Sequence, residues 1–138
     1  HFQTKGKFML DPTYCQPCTT AVPVIIQGQD KVLQVVLKSQ QSGNPVDITS
    51  ASEIEAIFLN TDGTYTEKKL STGGISVISG PGGNFQIALS PSDTQAMAVS
   101  TGGAFSDIEI HVTIASKVSI VILTGAVNIL ARRFPTAP

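Results

Sequence analysis

The chain has no tryptophan, two cysteines, two histidines and few charged residues, 14% of 138. Each scarcity removes a class of function. Without tryptophan, and with aromatics at 6%, a sugar site built from stacked ring platforms is disfavoured. A net charge of −1 gives no cationic surface for a nucleic-acid backbone, whose binders cluster Lys and Arg. Apolar runs such as Ile120–Leu123 stay far short of the roughly 20 residues that a membrane-spanning helix needs. The first residues, His1-Phe2-Gln3, show neither the basic nor the apolar region of a signal peptide. Disorder is also excluded: hydrophobic residues reach 41%, and a chain of this length can bury a real core as one domain.

What is present is a succession of short apolar stretches broken by Gly, Pro, Asn and Asp. Residues 21–138 read as one β-domain, and residues 1–20 as an extended arm. The arm has no helical or strand period, yet Phe2, Phe8, Leu10 and Tyr14 are too apolar for a solvated tail. They predict docking, on the same domain or on a neighbouring subunit, where strand addition would supply backbone hydrogen bonds; the alternative reading is a partly disordered tail.

From Val22 the strand signals are regular. Val22–Gln27 is a first strand, confined by Pro23 to an edge or a strand start. Lys31–Lys38 follows the turn Gly28-Gln29-Asp30, and the cluster Ser42-Gly43-Asn44-Pro45 precedes a short extended piece at Val46-Asp47-Ile48. Glu53–Asn60 places Ile54, Ala56 and Phe58 on one face. The Asp62-Gly63 dipeptide turns it into Tyr65–Leu70, a polar, lysine-bearing edge strand. Ile75–Ser79 and Phe85–Leu89 flank the glycine-rich turn Gly80–Asn84. Ser90-Pro91-Ser92-Asp93 combines an N-cap serine, a proline at the first helical position and an early acid, predicting a helical turn from Pro91 to about Met97.

The most ordered signal is a hairpin: Ser106–Ile114 going out, Ala115-Ser116-Lys117 turning, and Val118–Ala131 returning. Ile108, Ile110, Val112 and Ile114 alternate with Asp107, Glu109, His111 and Thr113, the period of a half-buried strand. The return strand is apolar on both faces from Val118 to Leu123, which predicts an enclosed position. Gly125 within it predicts a bulge or bend. About 7–9 strands with turn signals at this spacing predict an all-β, immunoglobulin-like antiparallel β-sandwich with one short helical turn. A small barrel ranks second and a jelly roll third.

No catalytic constellation emerges. Cys15-Gln16-Pro17-Cys18 reads as inert or locally bridged thiols, as half of a metal site completed by a second copy, or as a redox pair. The redox reading wants a strand-to-helix junction, which the arm does not offer, and a metal needs two further ligands. His111 lies among polar residues on a strand face with no nucleophile turn beside it. Gly80–Asn84 lacks the Lys-Ser/Thr of a phosphate loop and leads into a strand. Neither a catalytic residue nor a cofactor is expected.

The order of features from Gly28 onward resembles the immunoglobulin-like modules of tailed-phage tail and baseplate proteins, such as the N-terminal domain of the baseplate upper protein family. Gly28-Gln29-Asp30-Lys31-Val32-Leu33 matches a turn into an apolar strand. Gly43-Asn44-Pro45-Val46-Asp47-Ile48-Thr49 matches a G-x-P-x-D-L-T segment, with Ile48 for the leucine. The run Gly83-Asn84-Phe85 through Leu89-Ser90 to Asp93-Thr94 matches a G-x-F-x-x-x-L-S/T-x-x-D/E-T segment. The cysteine-bearing arm and the scarcity of Tyr and Phe depart from the pattern. The resemblance implies a virion structural component without enzymatic activity or cofactor, made in the host cytoplasm and held by other virion proteins and copies of itself. It implies partnership with neither nucleic acid nor membrane. The rival expectation is a module for a host glycan or surface protein, with Thr61–Thr64, Gly80–Asn84 and Ser100–Gly103 as contacts.

Overall fold

The computed structural model of the chain describes residues 8–10, 22–39 and 41–132. Among them nine strands and one helix follow in order: β1 (Phe8–Leu10), β2 (Val24–Ile26), β3 (Lys31–Ser39), β4 (Glu53–Leu59), β5 (Tyr65–Lys69), β6 (Ile75–Ser79), β7 (Asn84–Leu89), α1 (Pro91–Ala96), β8 (Ser106–Ile114) and β9 (Lys117–Leu130). They form a four-stranded sheet in the order β1-β3-β7-β6 and a five-stranded sheet in the order β2-β9-β8-β4-β5. The strand sequence of the first sheet and the central β9-β8-β4 of the second are those of the immunoglobulin sandwich. The fold is therefore an immunoglobulin-like β-sandwich, neither a barrel nor a jelly roll. One pairing departs from the all-antiparallel expectation. β2 runs parallel to β9, Val24 opposite Asn128 and Ile26 opposite Leu130.

The alternation read from sequence sets the two layers. Leu33, Val35 and Leu37 of β3 meet Phe85, Ile87 and Leu89 of β7 on the inner face of one sheet. Ile54, Ala56 and Phe58 of β4 lie beside Ile108, Ile110 and Val112 of β8 and Val121 and Leu123 of β9 on the other. All are buried, so the core is a layer of aliphatic side chains with Phe58 and Phe85 as its largest members. Burying each aliphatic side chain stabilises the fold by about 1.5–3 kcal/mol relative to exposure.

Local chemistry fixes the joints. Ser90 caps α1, its hydroxyl accepting from the Asp93 N–H while the Asp93 carboxylate accepts from the Ser90 N–H. Thr94, fully buried, ties the helix to the β2–β3 turn: its hydroxyl donates to the Gln29 carbonyl at 2.8 Å and accepts from the Gly28 N–H at 3.0 Å. Gly83 has a φ of +65°, and a Cβ there would stand 2.6 Å from the Leu37 carbonyl oxygen. Only glycine lets these backbones approach so closely. At the Gly125 bulge the β8–β9 register shifts between Ser106 and Ile108. The Gly125 N–H donates to the Asp107 carboxylate at 2.8 Å.

The β8–β9 hairpin closes through two residues, Ala115 and Ser116, rather than the three read from sequence. Both have positive φ, 53° and 66°, as a type I′ turn demands. Neither is the Asn or Gly that adopts this region readily.

Candidate functional site

The face of the five-stranded sheet turned away from the core is where the chain departs furthest from an ordinary solvated surface. The β8–β9 register sets Val118 beside Thr113, Ile120 beside His111 and Ile122 beside Glu109. The rows continue across the sheet, His111 to Glu55 to Lys69 and Glu109 to Ile57 to Glu67, with Leu59 beside Tyr65 at the far side. Val118, Ile120 and Ile122 are 57%, 56% and 50% exposed. Leu59 and Tyr65 are also exposed. A charged strip running over β8, β4 and β5 is thus bordered along one side by the apolar residues of β9 and at one end by Leu59 and Tyr65.

This overturns the enclosed position expected for Val118–Leu123. Alternation holds: Val121 and Leu123 face the core, while Val118, Ile120 and Ile122 face solvent. Apolarity on both faces predicts burial on both faces only where a strand flanks each side. The second strand that would enclose this stretch is missing among the described residues, since β2 pairs only with Asn128–Leu130.

The charged strip is internally paired. Glu109 and the His111 Nε2 stand 2.5 Å apart, and the Glu55 carboxylate lies 3.9 Å from His111 Nδ1 and 4.0 Å from Lys69 Nζ. Burial, reinforced by the neighbouring Glu67 carboxylate, holds Glu55 above the usual carboxylate range, with Lys69 and His111 opposing it. Glu53 does different work. It accepts from the Ser71 N–H and hydroxyl, and the Ser71 hydroxyl bond holds its carboxyl below the usual range. His111 accordingly sits in a cross-strand charge network, as its place on a polar face suggested, and its partners among the described residues are the carboxylates of Glu109 and Glu55.

The three loops expected to share a binding role do not converge. Gly80–Asn84 precedes β7, where the Gly80 carbonyl accepts from Ile48 N–H and that of Gly83 from Leu37 N–H. The other two lie beyond the opposite end of β7, around α1: Thr61 N–H donates to the Ala96 carbonyl, and Ser100 N–H to that of Ile129. Beside them opens a cleft of about 310 Å³ lined by Phe58, Leu59, Ser100, Phe105, Asp107 and Ile129. The Ser100 hydroxyl is already engaged, 2.5 Å from that of Ser106 and accepting from the Ile129 N–H.

Of the arm, Phe8–Leu10 forms β1 and pairs antiparallel with β3 of its own chain, Phe8 opposite Ser39 and Leu10 opposite Leu37. Strand addition is the expectation for a neighbouring subunit; this segment pairs within its own chain. Phe2, Tyr14, Cys15 and Cys18 lie outside the described residues. No group of three or more His, Cys, Asp or Glu placed to hold a metal occurs among the described residues, and no helix there is long and apolar enough to cross a membrane.

No family model matches the sequence, and no curated protein resembles it significantly. Among solved structures the chain is similar to the titin Ig tandem domains A164-A165, at 9% identity and a TM-score of 0.37 over 91% of this chain and 50% of that one. It thus spans about half the length of that tandem. It is also similar to the Lin-41 filamin domain, at 14% identity and a TM-score of 0.38 over 94% of this chain and 97% of that one. The sheet order described above is what makes the chain an immunoglobulin-like sandwich.

Proposed function

We propose that the chain is a non-enzymatic structural module of a tailed-phage particle, holding neighbouring virion proteins in a tail, neck or baseplate. The observation that carries the assembly role is the solvent-facing band of Val118, Ile120 and Ile122, with Leu59 and Tyr65 exposed at one end of the charged strip beside it. Large apolar side chains grouped on one face and rimmed by charges mark a contact surface rather than a solvated one. The phage setting is supported by the turn and strand motifs at Gly28–Leu33, Gly43–Thr49 and Gly83–Thr94. The experiment is co-assembly with tail proteins of the same particle, comparing the parent chain with Leu59→Lys and Ile122→Lys. Both variants should fold and lose co-assembly. Incorporation at parental levels, or no association of the parent with any virion protein, overturns the reading.

A second reading is favoured by the cleft beside Ser100–Gly103 and Thr61–Thr64: a module for a host glycan or surface protein. It predicts host-cell binding that Phe105→Ala abolishes, and a parent chain with no signal on host cells removes it.

A further inference from the structure

The first half of β9 presents more than side chains. Ile114 and Lys117 flank the two-residue turn and form its hydrogen-bonded pair. Antiparallel alternation then makes Thr113 with Val118, His111 with Ile120 and Glu109 with Ile122 the non-hydrogen-bonded pairs. The N–H and C=O groups of Val118, Ile120 and Ile122 therefore point away from β8, toward the free side of the strand. On that side β2 reaches only Asn128–Leu130, β1 comes near β9 without pairing with it, and no described residue pairs with Lys117–Thr124. The same three residues that expose apolar side chains thus carry backbone donors and acceptors that no described residue pairs. Such an edge is a template for another strand.

We infer that the occupant is the same edge of a second copy, paired antiparallel about a two-fold axis through Ile120. The argument is self-complementarity. A two-fold contact must match a patch to itself, residue i meeting j and j meeting i. With Ile120 opposite its own counterpart, Val118 falls opposite Ile122 of the other copy and Ile122 opposite Val118. Each of the three residues then donates one backbone hydrogen bond and accepts one. Every cross-strand pair on the solvent face is aliphatic with aliphatic, the combination that stabilises a sheet. Shifting the axis to Val121 keeps the hydrogen bonds but sets Val118 against Thr124, losing one apolar pair. The flanking charges also tolerate the Ile120 axis. Glu109 shares a row with Ile122, and hence with Thr113 of the other copy, so no carboxylate meets a carboxylate across the seam. The product is one continuous sheet of ten strands from two copies, with the apolar stripes merged at its centre.

A pairing of this length buries less than a standard interface, so micromolar dissociation is the expected range. The inference deepens the assembly reading by naming the contact between copies. Its test uses the isolated chain, so it can fail while that reading stands. Light scattering on the purified full chain from about 5 to about 500 μM should show monomer passing to dimer. The Val118, Ile120 and Ile122 amides should exchange more slowly as dimer forms. Ile120→Pro removes an outward N–H that β8 does not use and should weaken the dimer about tenfold or more with unchanged thermal stability. If that variant does not fold, Ile120→Lys supplies the comparison, with the same expectation. A chain monomeric throughout the range overturns the inference, whether its three amides exchange freely or are protected by the chain's own arm. A dimer that survives the folded variant overturns it as well.

Discussion

Lys117–Thr124 and Gly125–Leu130 belong to one strand and share a similar hydrophobicity, yet their surroundings are opposite. Among the described residues the first half pairs with β8 alone, and every second side chain from Val118 to Ile122 faces solvent. The second half lies between β8 and β2, and Ala126, Val127 and Ile129 are all buried. The Gly125 bulge separates them, breaking the alternation so that the neighbours Ala126 and Val127 both turn inward. Burial is thus set by which strands flank a stretch, and hydropathy alone does not distinguish an enclosed strand from an open one. In a chain that spends so few charges elsewhere, retaining isoleucine at exposed positions is what makes the first half a contact surface.

The sharpest way to break this comparison is truncation on either side of the same half. Leu123→Ala, in the core, should destabilise by about 2–5 kcal/mol, whereas Ile122→Ala, one residue earlier, should fall within about 0.5 kcal/mol. Denaturant unfolding of the dilute monomer checks both, and equal losses would mean the exposed stripe is covered. Gly125→Val addresses the boundary. Its φ is +61° and the nearest atom to an added Cβ is 4.0 Å away, so the penalty is conformational, about 1–2 kcal/mol, with little steric part. At the tip, replacing Ala115-Ser116 with Asn-Gly relieves two left-handed residues and should stabilise the hairpin by about 1 kcal/mol. That gain is read as a higher melting temperature.

The smallest effect is in pH and has opposite signs at two sites. Burial raises the Asp93 carboxyl, but hydrogen bonds from Ser90 and Lys68 outweigh it and hold the group below its usual 3.8. Its stabilisation is full above the unfolded value and is lost as pH falls through the lower folded one. Glu55, raised by burial and Glu67, behaves inversely: acidification from neutral pH through its folded value relieves a strain. Between about pH 6 and about pH 2.5, Asp93→Asn should flatten the acid decline in melting temperature. Glu55→Gln should instead remove a slight rise near the start of that range.

Much of the sandwich was legible in the residues. The strand positions, the Ser90 cap with Pro91 behind it, the Asp62-Gly63 turn, the exposed edge strand Tyr65–Lys69 and the bulge at Gly125 each follow from local chemistry, and the structure places them within a residue or two. What was not legible depends on partners distant in sequence. The parallel pairing of β2 with β9 leaves no mark in either segment, and it decides which half of β9 is enclosed. Ala115-Ser116 carries none of the usual signals of a two-residue turn, so the hairpin was placed from its flanks and its turn set one residue too long. Thr94 reads as an ordinary helix residue. Its burial follows only from the β2–β3 turn that its hydroxyl reaches. The exposed band was visible as a composition, Val118 to Leu123, but its direction was not.

The β2–β9 pairing also has a temporal consequence. Val24 meets Asn128, so one of the first strands closes on the last, almost the whole chain later. Such non-local closure is slow, because the loop entropy must be overcome before the contact forms. During synthesis Ile25 and its neighbours wait for β9 to leave the ribosome, and until then the five-stranded sheet lacks β9 and has nothing to hold β2. Until that closure β8 is itself an unpaired edge in the nascent chain, where crowded copies can meet before either has closed.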